Sequence, residues 1–244
     1  MKNSYDISDN LKYFISSNSE LIDETNLNEL YERAEVQLTA SEFGMLSYIL
    51  YESGIDIFHE LSMFPTYLFC YSPLKEVRIP NKFNVIASSA FQGCGRLEKA
   101  TLDRGIEEIN EHAFSQCYVL ETINFPEGLQ AIYHYAFHKC FMLEKVNFPS
   151  SLKFLGRNVF DRCSAIKTIY LPDSVEHIGR MCFDGCLSLK DISIPKGIYI
   201  DSFNCFPSNR EVNIDFRGNK EEWERVIEQS SEKIIPEHIK VTTH

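Results

Sequence analysis

The stretch LETINFPEGLQAIYHYAFHKCFM, residues 120–142, is one period of a pattern that recurs before and after it at a spacing of 23 residues. Its first column is Leu74, Leu97, Leu120, Leu143, Ile166 and Leu189. Three residues on stand Val77, Ala100, Ile123, Val146, Ile169 and Ile192. Two further stand Ile79, Leu102, Phe125, Phe148, Leu171 and Ile194, followed by Pro80, Asp103, Pro126, Pro149, Pro172 and Pro195. Apolar positions follow at Phe83, Ile106, Leu129, Leu152, Val175 and Ile198, then at Ile86, Ile109, Ile132, Leu155 and Ile178, where the sixth copy slips. Each unit closes on Phe91, Phe114, Phe137, Phe160, Phe183 or Phe206, and five of them continue to Cys94, Cys117, Cys140, Cys163 and Cys186. A fixed period of this length marks tandem structural repeats.

The alternation around Ile123 and Phe125 suits a short strand with every second side chain inward. The following proline lacks an N–H for a ladder bond and ends the strand. Glu127-Gly128 and Asp173-Ser174 suit the turn after it. One such unit cannot bury enough apolar surface to order its own backbone, so the units must stack and share a core. The repeated region covers residues 74–208.

The unit L-x-x-I-x-I-P-x-x-[LV]-x-x-I-x-x-x-A-F-x-x-C resembles the BspA-like class of leucine-rich repeats. The resemblance implies an α/β repeat solenoid, a right-handed coil with a parallel sheet on its concave face and a turn-rich convex side. It also implies binding rather than catalysis. Relatives of this class are often surface adhesins of bacteria and protists; this chain shows no export signal, since Met1–Asn10 carries Asp6 and Asp9 and no apolar core. The expected location is the cytoplasm, with the cell surface as the alternative.

A solenoid exposes its core at both ends and needs caps. Residues 210–244 are expected to cap one end: Glu211–Phe216 alternates like a strand, Asn219 suits a helix N-cap, and Trp223, Val226 and Ile227 share one helical face. The segment "FRGNKEEWERVI" resembles the closing strand and helix of the family. Residues 1–66 lack the period and read as an acidic helical cap or leader, with Leu27, Leu30, Tyr31, Ala34 and Leu38 at helical spacing. A capping segment at Thr39–Glu42 precedes a second helix, which Gly54 ends. The solenoid is expected between these, over residues 67–209. Residues 38–61 also resemble leaders of repeat proteins carried by phages.

The net charge of −11 is uneven, because residues 1–73 hold twelve acidic residues against Lys2, Lys12 and Arg33. An acidic surface repels phosphates, which argues against sequence-independent nucleic-acid binding, and it favours a basic partner. No apolar run reaches the roughly 20 residues of a membrane span. Metal and cofactor motifs are not found. The cysteines form no C-x-x-C pair, and the column from Cys94 to Cys186, with Cys182, Cys205 and Cys70 beside it, reads as buried structural thiols; disulfides between neighbouring column members are the alternative. His134 and His138 are four apart but fall on the turn-rich side. Neither a Walker, a G-x-S-x-G nor an H-E-x-x-H motif occurs, so no enzyme activity and no cofactor are expected.

Two outward columns of the concave strands are the expected contact face. One holds Glu76, Lys99, Thr122, Lys145, Thr168 and Asp191. The other holds Arg78, Thr101, Asn124, Asn147, Tyr170 and Ser193, with Tyr170 and Arg78 as the anchor types. A second patch on the convex turns gathers His112, His134, Tyr135, Phe141 and Tyr118 and suits an interface or self-association. The function expected is a non-catalytic protein-interaction module for a protein or peptide; a phage-encoded inhibitor of a host protein and a surface adhesin are the alternatives.

Overall fold

The computed structural model describes residues 7–22 and 26–244. The reading of Met1–Asn10 as free of an export signal falls mostly on residues 1–6, outside the described residues. Helices α1 (Asp9–Ser17), α2 (Leu27–Gln37), α3 (Ala40–Glu52) and the short α4 (Ile57–Glu60) come first. Strands β1 (Glu76–Ile79), β2 (Val85–Ile86), β3 (Lys99–Leu102), β4 (Glu108–Ile109), β5 (Thr122–Ile123), β6 (Ala131–Ile132) and β7 (Phe154–Leu155) follow. Then come β8 (Thr168–Tyr170), β9 (His177–Ile178), β10 (Asp191–Pro195), β11 (Tyr199–Ile200), β12 (Val212–Arg217), helix α5 (Lys220–Gln229) and β13 (Ile239–Thr243).

The chain winds as a parallel-sheet solenoid of about seven turns. Each coil contributes a two-residue strand to one parallel sheet, ordered β2-β4-β6-β7-β9-β11, and all but the coil of Leu143 contribute a strand to the concave side. Register follows the sequence period: Glu76 pairs with Lys99 and Lys99 with Thr122, while Thr168 pairs with Asp191. The slip in the sixth copy is a one-residue shortening, since Ile200, not Asp201, pairs with Ile178. The concave side runs as two ladders, β1-β3-β5 and β8-β10-β12-β13, with the Lys145–Phe148 stretch between them outside any strand. Here the two coils carry Phe125 and Phe148 where their neighbours carry Ile or Leu. Those rings stack with centroids 5.8 Å apart. Within the first ladder Asn124 ties β5 to the end of β3: its side-chain amide accepts from Leu102 N–H at 2.9 Å and donates to Leu102 C=O at 2.8 Å.

Two files run through the interior. The first is a stack of rings, Phe69, Phe91, Phe114, Phe137, Phe160 and Phe183, with centroids 4.9–5.8 Å apart and planes within 15°. The second is the thiol column. Cys94, Cys117, Cys140, Cys163 and Cys186 each donate S–H to a backbone carbonyl of the preceding coil, from Phe69, Phe91, Phe114, Phe137 and Phe160, at 2.9–3.2 Å. All eight cysteines are free and buried. Burial pushes the thiols up, to about 12 for Cys70 and Cys94.

Each coil also turns twice through left-handed backbone conformation. One file is Ser89, His112, Tyr135, Asn158 and Met181 (φ 54–60°); the other is Gly93, Gln116, Lys139, Arg162 and Gly185 (φ 62–71°). A side chain at such a position costs roughly 1 kcal/mol or more, and the repeat accepts it because the turn layer bonds coil to coil there, as in Lys139 N–H to Asp161 C=O at 2.8 Å.

The helical segment closes the first coil. Thr39 and Glu42 form a reciprocal capping box at the start of α3, and Tyr31 of α2 donates to Ser47 of α3 at 2.9 Å. Gly44 lies against the first coil so closely that a Cβ there would stand 2.0 Å from Cys70 O. At the other end Asn219 and Glu222 form the second capping box, and Trp223 and Val226 are buried over the last coil. Trp223 meets Phe216 at 5.0 Å and Phe203 at 5.8 Å. Beyond this helix the chain returns as β13, parallel to β12, so the last residues add a strand to the concave side.

Candidate functional site on the concave face

The strand alternation places both expected columns on the outer surface of the concave ladders. Glu76, Lys99, Thr122, Lys145, Thr168 and Asp191 are exposed; the cap strands extend this column through Asn213 and Lys240, which pair in register with Asp191 and with each other. Arg78, Asn124, Asn147 and Tyr170 are exposed and Thr101 and Ser193 half-buried; Asp215 and Thr242 continue that column. Lys145 and Asn147 sit on the stretch between the ladders.

These side chains are not equally free. Arg78 spends its fork on Asp103, with Nε 3.1 and 3.2 Å from the two carboxylate oxygens and Nη2 3.0 Å from Oδ1. Asp103 is the residue that replaces the proline of the other units, so Arg78, still exposed, is held at the strand end by this ion pair. Asn124 is likewise engaged with Leu102. Among the described residues, no side-chain hydrogen bond or ion pair engages Glu76, Lys99, Thr122, Lys145, Asn147 or Thr168.

The face is most ordered at its C-terminal end. Tyr170 is 60% exposed, and one side of its ring is covered by the Arg217 guanidinium, whose carbon lies 4.5 Å from the ring centre. That guanidinium donates to Leu171 C=O at 2.6 Å, to Ser193 Oγ at 2.8 Å and to Asp173 at 2.8 Å. Beside the ring lies a depression of about 380 Å³ lined by Thr168, Asp191, Ser193, Asn213, Asp215 and Thr242. Asp191 accepts from Asn213 at 2.8 Å; Asp215 accepts from Ser193 at 2.8 Å and lies 2.6 Å from His244 Nε2. The His244 and Ser193 contacts lower the Asp215 pKa, so this carboxylate is anionic at neutral pH. The arrangement offers a rigid aromatic wall over a floor of two carboxylates and several hydroxyls.

Arg217, Asn213, Asp215 and Thr242 were not singled out from the sequence. The alternation Val212-x-Ile214-x-Phe216 already places Asn213 and Asp215 on the concave side; the short Ile239-x-Val241 run is the matching signal for Thr242. The guanidinium's reach over three coils has no such signal.

Of the residues grouped on the turn-rich side, the structure shows two separate ring pairs. His112 stacks on Tyr135 at 4.9 Å and Tyr118 on Phe141 at 5.5 Å. His134 is not part of a metal pair: its Nδ1 accepts from Arg157 N–H at 3.0 Å. Among the described residues no group of three His, Cys, Asp or Glu is placed to hold a metal ion. No helix among the described residues is long and apolar enough to cross a membrane.

The sequence pattern of the BspA type leucine rich repeat region matches in six copies, over residues 47–167 and 85–213. The chain belongs to the BspA-type leucine-rich repeat family. Two solved structures are similar to this BspA-type protein. A leucine-rich repeat protein of T. pallidum is 28% identical with a TM-score of 0.50, over 62% of this chain and 75% of that one. A leucine-rich repeat protein of Bacteroides ovatus is 26% identical with a TM-score of 0.58, over 75% of this chain and 47% of that one. The BspA-type chain therefore spans about half the length of the Bacteroides protein. No curated protein matches it.

Proposed function

We propose that this BspA-type chain is a non-catalytic protein-interaction module that takes a basic, extended peptide segment of a partner protein on the C-terminal end of its concave face. The observation that carries this is Tyr170, held on Arg217 and exposed above Asp191 and Asp215. A pre-positioned aromatic ring loses little entropy on binding, and aromatic residues with arginines dominate interface energies. A lysine or arginine of the segment would lay its aliphatic stem on the open side of Tyr170 and its charge between the two carboxylates. The outward columns from Thr168 back to Glu76 would add weaker contacts along the segment. Family membership supports a binding or surface-repeat role in general. The phage-inhibitor reading of residues 38–61 and the adhesin reading draw on resemblance alone, whereas the concave face has a built contact point.

The test is an array of synthetic peptides graded in lysine and arginine content, probed with the purified chain. Binding should concentrate on basic members and weaken with salt. It should fall about tenfold or more for Tyr170→Ala, the size of a hot-spot loss, and for Asp191→Asn combined with Asp215→Asn. Equal binding by wild type and Tyr170→Ala would refute the reading.

A further inference from the structure

Between each Phe-x-x-Cys turn and the next concave strand lie two residues on the rim of the solenoid. They are Gly95-Arg96, Tyr118-Val119, Phe141-Met142, Ser164-Ala165 and Leu187-Ser188. Large apolar side chains thus bunch on two adjacent coils, where Tyr118 is 39%, Phe141 38% and Met142 50% exposed. The bunch is ordered: Tyr118 and Phe141 stack within 12°, and the Tyr118 hydroxyl donates to Gln116 Oε1 at 2.9 Å. Shallow depressions of about 510 and 500 Å³ flank it, and both are lined by Met142 and Glu121. A contiguous exposed apolar patch with a charged rim marks an association surface.

The rim charges say what covers it. On the strand side Glu98, Glu121 and Glu144 follow one another coil by coil, with Glu121 N–H on Glu98 C=O at 3.0 Å. Glu144 is paired with Lys167 at 2.5 Å; among the described residues Glu98 and Glu121 have no ion pair. On the turn side Gln116, Lys139 and Arg162 stand at the 23-residue spacing, their N–H groups donating to His138, Asp161 and Asp184 C=O of the following coil. Like charges on neighbouring strands destabilise; the strand flank is acidic from Glu98 to Glu144, with Lys75 and Arg96 lining the same depression as Glu98 and Glu121, while the turn flank presents Lys139 and Arg162. A wholly basic partner would meet Lys139 and Arg162, and a wholly acidic one Glu98 and Glu121. A second copy turned by 180° answers both.

We infer that Tyr118, Phe141 and Met142 form the centre of a two-fold interface between two copies of this chain. A two-fold axis normal to the rim, passing between the coils of Tyr118 and Phe141, reverses coil order and exchanges the flanks. It brings Glu121 to Lys139 of the second copy and Glu98 to Arg162 of the second copy. The same operation lays Tyr118 on Met142 and Val119 on Phe141. Each contact occurs twice, as a closed isologous interface requires. The rim is separate from the Tyr170 depression, although one of its flanking depressions shares Thr122, Lys145 and Asn147 with the outward columns.

Sedimentation velocity between roughly 1 and 100 µM, the range in which modest interfaces titrate, tests the inference. The expected result is a concentration-dependent dimer. Met142→Glu should be monomeric throughout with an unchanged thermal midpoint, because the side chain it replaces is half exposed. Glu121→Lys and Lys139→Glu should each weaken the dimer about tenfold or more, the scale of close charge pairs across an interface, and the two combined in one chain should restore it. A wild-type chain that stays monomeric, or a dimer indifferent to Met142→Glu and to both charge reversals, overturns the proposal; so does a double reversal that fails to recover it.

Discussion

Arg217 and Tyr170 sit on strands two coils apart, and the guanidinium of one covers the ring of the other at 4.5 Å. Because the same group also reaches Leu171 C=O, Ser193 and Asp173, it fastens three coils and sets the aromatic wall at once. Arg217→Met keeps the packing stem and removes every donor. Denaturant unfolding should show a loss of about 1–3 kcal/mol, the range for hydrogen bonds to charged groups and an orphaned carbonyl. Arg217→Lys should recover only part of it, since one ammonium cannot serve a planar fork's partners. An Arg217→Met protein as stable as wild type would show that the clamp carries nothing.

The thiol column makes a chemical prediction. The eight free, buried cysteines, with thiols pushed up by burial, should not react with a chromogenic disulfide reagent in the native state at pH 8. Under denaturing, non-reducing conditions all eight should react. Cys140→Ala should cost about 1–3 kcal/mol, because Phe114 C=O then loses a donor in a dry interior. Fewer than eight titratable thiols in denaturant would mean that neighbours in the column are oxidised.

Gly44 decides how the helical segment meets the first coil. A methyl group at this position would stand 2.0 Å from Cys70 O and 2.5 Å from Cys70 N, both backbone atoms that cannot swing aside. Gly44→Ala should cost about 1–3 kcal/mol, the usual penalty for overpacking. Hydrogen exchange should speed up in α3 and in residues 67–72 before it does in the central coils. Uniform protection in the variant would show that α3 does not depend on this contact.

Glu42 links α1 to α3 and supplies an acid-sensitive joint. Its carboxylate accepts from the Ser8 hydroxyl, Thr39 N–H and hydroxyl, and the Asn10 amide. These bonds, the Ser8 one foremost, lower its pKa from 4.5 to about 2. The depressed folded value means that the stabilisation is full above the unfolded pKa and disappears as the pH falls through about 4.5 towards 2. Thermal melts of wild type should steepen their decline in that window. Glu42→Gln should be less stable at neutral pH and flatter below pH 5; identical pH slopes for the two proteins would refute this joint.

The period was legible because every inward position serves the same core, so eight columns repeat the same chemistry. The capping residues Thr39, Glu42, Asn219 and Glu222 were legible for a similar reason: their bonds are local and satisfy the first turn of a helix. Contacts that depend on which side chain the next coil offers were not. Arg78 reads as an anchor type, and the sequence does not announce that Asp103, 25 residues on, pairs with its fork. The break in the concave ladder, beside the stacked Phe125 and Phe148 rings, has no counterpart in the repeat pattern. The left-handed files at Ser89–Met181 and Gly93–Gly185 have no sequence signature, because only Gly93, Gly185, Asn158 and His112 among their ten residues are types that favour that conformation.

The phenyl stack and the thiol column both stop at one joint. Phe160 and Phe183 still overlap at 5.8 Å and Cys186 still reaches Phe160, but position 209 is Asn and supplies no S–H to the Phe183 carbonyl. The two ends of the molecule are therefore mechanically unequal. Pulled from its termini, the chain should part first beyond Phe183, where both interior files have ended and strand pairing, the Arg217 clamp and the Trp223 lid hold the coils, and the force trace should show this early step before the uniform ripping of the five latched turns.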